Sequence, residues 1–101
     1  MMSKFGLHEY IVETNRIILV APDFDFDSFP DVGEQLLTLL SATVIEKQVD
    51  ADLHSWIIDF EGCQLIVKAE HYSGTVWIES LGKNESREEM EFIATLLRNQ
   101  S

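Results

Sequence analysis

The chain has 101 residues, 46% of them apolar, with 18 acidic against 7 basic side chains and a net charge of −11. That length fits one domain of the usual ~100–150 residues, and the apolar share is too high for a disordered segment. The charge excludes the basic footprint that nucleic acid or an anionic membrane surface calls for, so neither is expected as a partner.

Leu7 to Glu13 and Arg16 to Ala21 are short β-rich runs either side of Thr14-Asn15, where Asn tolerates the left-handed backbone of a tight turn; together they read as a hairpin. Phe29, Val32, Leu36 and Leu39/Leu40 recur at helical spacing behind an Asp27-Ser28 cap signal and Pro30, which predicts a helix over about 28–41. From Ala42 the pattern turns to β. Thr43 to Val49, Leu53 to Phe60, Cys63 to Glu70 and Thr75 to Leu81 are separated by Asp50-Ala51-Asp52, Glu61-Gly62 and Ser73-Gly74. Connections this short favour antiparallel neighbours, since a parallel crossover needs about a dozen residues or more. A last helix is expected to begin near Asn84 to Ser86, with Ser86 and Glu89 at capping-box spacing and Met90, Ile93 and Leu97 on one face, widened by Phe92 and Leu96. The order ββαββββα predicts an α+β two-layer sandwich, a single domain over 1–101 with both helices on one face of an antiparallel sheet.

Alternate strand residues point to opposite faces. If Trp56, Ile58, Phe60, Leu65, Val67, Val76 and Ile78 face the helices, then Ile57, Ile66 and Trp77 lie on the uncovered face, among Asp59, Lys68, Glu70 and Glu79. An apolar patch rimmed by polar groups marks an interface, and a self-complementary one gives a twofold dimer. Ile57, Ile66 and Trp77 are therefore the candidate interface residues, unless the segment Phe5 to Leu7 covers them.

Between Asp23 and Glu34 the chain carries five carboxylates and no base. Asp23, Asp25, Asp27, Asp31 and Glu34 match the ligand spacing of an EF-hand calcium loop. Ser28 stands where that loop wants Gly, Pro30 stands where an apolar residue makes the contact to a paired loop, and the chain entering the loop reads as a strand. The better reading docks Phe24, Phe26 and Phe29 on the core, with the aspartates in water beside a helix N-terminus. Neither a metal nor a cofactor is expected.

His8, His54 and His71 lack the close spacing of a readable zinc site. Glu70-His71-Tyr72 is a candidate acid/base cluster at a turn, against the commoner reading of a solvated turn histidine. Cys63 is the only cysteine and has no basic neighbour to activate it, so it reads as a small core residue, in keeping with a reducing cytoplasm. No apolar stretch approaches the roughly 20 residues of a membrane span.

From the Tyr10 to Ala21 hairpin through Trp56-Ile57-Ile58-Asp59-Phe60 and Val76-Trp77-Ile78-Glu79 to the C-terminal helix, the chain resembles an uncharacterised gammaproteobacterial family of roughly hundred-residue proteins. The resemblance implies a bacterial cytoplasmic setting and supplies no activity or site residues. The expectation is a non-enzymatic interaction protein that binds a protein partner or itself. Its rival is a cation-binding module or small enzyme using the acidic loop or the His71 turn.

Overall fold

A computed structural model describes residues 4–81 and 87–100 of the chain. Strands β1 (Gly6–Ile11) and β2 (Arg16–Val20) form the first hairpin, followed by helix α1 (Phe29–Leu40). A four-strand run follows: β3 (Thr43–Asp50), β4 (Leu53–Phe60), β5 (Cys63–Glu70) and β6 (Thr75–Ser80), before helix α2 (Arg87–Arg98). The fold is the α+β arrangement that the pattern predicts, a six-stranded sheet with every neighbouring pair antiparallel. The strand order is β1-β2-β6-β5-β4-β3. α1 therefore carries the chain from β2 to the far edge, and β3 to β6 return strand by strand until β6 closes on β2.

The first hairpin is joined by a 3-10 turn at Val12–Thr14, and Asn15 takes the left-handed conformation that ends it. Asn15 is buried, and its Oδ1 accepts the Tyr10 hydroxyl at 2.9 Å, which fixes the corner from inside. Two of the three later hairpins use tighter turns. Asp50 pairs with Leu53 across Ala51-Asp52, and Phe60 pairs with Cys63 across Glu61-Gly62, with Ala51, Glu61 and Gly62 all at positive φ. Such turns match the right-handed twist of the strands they join.

The core lies between one sheet face and both helices. Ile17, Leu19, Trp56, Ile58, Phe60, Leu65, Val67, Ala69, Val76 and Ile78 supply the sheet side, and the helices bring Phe29, Val32, Leu36, Leu37, Leu40, Met90, Ile93, Ala94 and Leu97. Each fully buried large side chain contributes roughly 1.5–3 kcal/mol relative to leaving it in water. Gly33 decides how close α1 comes: a Cβ built there would lie 2.5 Å from Cη2 of Trp56, so the indole occupies the notch that glycine leaves.

Four local expectations change. Phe92 does not widen the buried stripe of α2; it is 58% exposed, with its ring 6.0 Å from that of Phe60. Cys63 is half-buried at the rim of the sheet and not in the core. Phe5 belongs to the core cluster under the helices, so it does not cover the other face. Ser28 is the N-cap of α1 by position, yet its side chain caps nothing in the helix and bonds to Asp25. The Ser86 half of the expected capping box lies outside the described residues.

Candidate functional site

The uncovered face of the sheet is set by register. Ile57 stands directly opposite Ile66, Ile66 opposite Glu79, Lys68 opposite Trp77, and Trp77 opposite Ile18 on β2. Ile66 and Trp77 are thus diagonal neighbours, and the structure brings all three expected interface residues into one patch, extended by Ile18. Each is half-buried within the single chain.

A charged cluster sits inside this patch. The Glu79 carboxylate takes Arg16 Nη2 at 2.8 Å and the Trp77 indole N–H at 2.9 Å on Oε1, and it faces Lys68 Nζ at 3.5 Å from Oε2. Glu79 therefore ties β2, β5 and β6 together and fixes the plane of the Trp77 ring. Arg16 Nε lies buried without an acceptor among the described residues, at some desolvation cost, although the side chain as a whole stays 43% exposed. Arg16 and Ile18 escape the sequence reading because their arrival depends on β2 pairing with β6, a long-range contact with no local signal. Strand parity alone, Arg16 and Ile18 against Ile17 and Leu19, would have placed them once that neighbour was known.

The acidic loop has a different organisation. The Ser28 N–H donates to Asp25 Oδ1 and the Asp25 N–H donates to Ser28 Oγ, both at 2.8 Å, a reciprocal box one turn ahead of α1. The Ser28 N–H and then its hydroxyl hold the Asp25 carboxyl below its ordinary value of 3.8, with His71 adding a smaller effect in the same direction. Asp31 lies in the first turn of α1, and Glu34, farther along it, takes Lys47 Nζ at 3.1 Å. Asp23 and Asp27 are exposed. Among the described residues, no three His, Cys or acidic side chains are placed to share one ion. The three phenylalanines do dock inward: Phe29 is fully buried and packs on Phe24, His54 and Trp56, while Phe26 stacks on His54 at 4.6 Å.

His54 is buried beneath that loop, with Nε2 3.0 Å from the carbonyl of Phe26. It is a positioning group for the aromatic stack. His8 is the exposed bulge residue of β1. His71 approaches Asp52 from the neighbouring turn, Nε2 to Oδ1 at 3.8 Å, while Tyr72 is 79% exposed and stacks on its ring at 4.6 Å. Glu70 belongs to the open face, opposite Leu53 and Thr75. The carboxylate that reaches His71 is therefore Asp52 and not its chain neighbour.

Two shallow grooves flank Phe92, one of about 500 Å³ lined by Phe60, Glu61, Glu88, Glu89 and Phe92, the other of about 300 Å³ beside Leu96 and Gln100. Among the described residues, neither lining contains a histidine, lysine or cysteine. Among the described residues, no helix is long and apolar enough to cross a membrane.

Neither a curated protein nor a solved structure matches the chain. A family model described as "Protein of unknown function (DUF3630)" matches residues 5–98, and the chain belongs to that family.

Proposed function

We propose that the protein is a non-enzymatic interaction module that pairs with a second copy of itself through the open sheet face and presents its acidic surface to a protein partner. The observation that carries this reading is the patch of Ile18, Ile57, Ile66 and Trp77, held together by cross-strand register on the face the helices leave bare. At its centre two bases surround one carboxylate, whereas the chain as a whole is at −11. At that centre two copies meet mixed charge, while Glu46, Asp50, Asp59 and Glu70 farther out on the same face make the pairing sensitive to salt.

The cation-binding or enzymatic alternative has less support. In the Asp23 to Glu34 loop, Asp25 is taken up by Ser28 and Glu34 by Lys47, and at the His71 turn the histidine is paired with Asp52. A cytoplasmic setting is part of the proposal and is supported by Cys63 being the one cysteine of the chain.

Mass in solution by light scattering tests the reading. The natural chain is expected to run as a dimer and a Trp77→Arg chain as a monomer of unchanged circular dichroism. Monomers in both cases would remove the dimer, and dimers in both would move the interface off this face.

A further inference from the structure

The two edges of the sheet are built differently. β1 is short, bulged at His8, half-buried over most of its length, and runs straight into the 3-10 turn. β3 pairs with β4 along its length on one side only, and all eight of its residues are exposed, Ile45 and Val49 by more than half. An edge strand turns a row of N–H and C=O groups outward, and such a row accepts an added strand.

The side chains of β3 define what fits beside it. Val44, Lys47 and Val49 face the helix layer, as their partners Ile58, Trp56 and His54 do; Thr43, Glu46, Gln48 and Asp50 face the open side. Lys47 is already engaged, 3.1 Å from Glu34 and 4.2 Å over the Trp56 ring. What remains is negative: Glu46, whose Oε2 accepts from Gln48 Nε2 at 2.6 Å, and Asp50, with Asp59 on the same face of β4, and no lysine or arginine among the described residues bridges to any of them.

A second copy fits this edge poorly. Two β3 strands related by a twofold axis run antiparallel with their helix layers on the same side, so only residues of like facing stand opposite one another. Over the regular stretch Glu46 to Asp50, centring on Lys47 sets Lys47 against Lys47 and centring on Gln48 sets Glu46 against Asp50 twice, and like charges directly opposite destabilise a strand pair; centring on Val49 avoids both but pairs only the three residues Gln48 to Asp50 before the turn. The bulge at Ile45 stops the pairing from extending regularly.

We propose that β3 is a docking edge for an extended segment of a protein partner along the regular stretch Glu46 to Asp50, with Lys or Arg at the positions opposite Glu46 and Asp50 and an apolar side chain on the helix side against Val49. Backbone hydrogen bonds hold the segment, and the two carboxylates choose it. The edge borders the open face, with Glu46 opposite Ile57, so the two readings are told apart by what is changed and read: Trp77 and mass for the dimer, Glu46 with Asp50 and β3 protection for the edge.

The probe is a short blocked peptide alternating lysine with valine, and its control carries glutamate in place of lysine. Amide exchange and NMR shifts on the full chain are expected to show β3 amides gaining protection with the lysine peptide alone. Glu46→Lys with Asp50→Lys is expected to weaken the lysine peptide at least tenfold and to let the glutamate peptide protect β3 instead. Binding without β3 protection, or a preference that the double substitution leaves unchanged, overturns the proposal. So does protection of β3 in the free chain that rises with its concentration, which would place a second copy on the edge.

Discussion

The two faces of the sheet come from the same strands, yet they are held by different physics. On the covered face the constraint is shape: Trp56 fills the notch at Gly33, with Phe29 at 5.3 Å from its ring, and water is excluded. On the open face the constraint is charge geometry, with Glu79 held by Arg16, Lys68 and the Trp77 indole, all of them partly solvated. A dry, close-packed face punishes a misplaced methyl group; a wet, charged face tolerates it and responds to salt.

Gly33→Ala should give the largest effect. On a solvated helix that change is worth a gain of about 1 kcal/mol, since alanine is the better helix former. Here the new Cβ meets the Trp56 ring at 2.5 Å, and the rings stacked around it leave little room for retreat. A loss of about 1–3 kcal/mol is expected from such overpacking, read from the urea midpoint at unchanged slope. A gain would show that the indole moves freely and that shape does not govern this face.

Glu79→Gln should do less, despite releasing two ion pairs at once. The three side chains are between about a fifth and two fifths exposed, and pairs this wet contribute at most about 1 kcal/mol. The loss is expected to shrink as salt rises, whereas the loss from Gly33→Ala should not change with salt. A salt-independent loss as large as that of Gly33→Ala would erase the distinction between the faces.

How much of this is legible without coordinates follows the range of each interaction. Strand alternation puts Trp56, Ile58 and Phe60 on one face and Ile57 on the other, and the structure agrees, because a period of two is a local property of the chain. The Ile57-Ile66 pair could be inferred from the two-residue turn at Glu61-Gly62, which fixes register. Arg16 beside Glu79 could not, since the strands lie far apart in sequence and the order β2-β6 is chosen by how α1 crosses the sheet. The exposure of β3 was hidden for the same reason: Thr43 to Asp50 has the composition of any strand, and only the order of the sheet makes it an edge. Phe92 misled because helical spacing gives a stripe and not its width: α2 buries Met90, Ile93, Ala94 and Leu97 and packs Leu96 partly against the core, while Phe92 falls outside.

The smallest effect belongs to neither face but to the loop that delivers α1 to the covered one. Asp25 has its carboxyl lowered by the Ser28 N–H first and the Ser28 hydroxyl second, so the folded chain favours the ionised form more than the unfolded chain does. Whatever stability this supplies is present above the ordinary value of 3.8 and is lost as the pH falls through the lower folded value. Ser28→Ala removes the hydroxyl and keeps the N–H, so the Asp25 carboxyl should rise only part of the way toward 3.8 in an NMR titration of its side-chain carbon. Because Asp25 stands in water, thermal stability at neutral pH should barely move, while Gly33→Ala lowers it clearly. An Asp25 carboxyl that returns fully to its ordinary value would mean that the loop opens without the hydroxyl, and Phe29 would then be expected to lose its place against Trp56 as well.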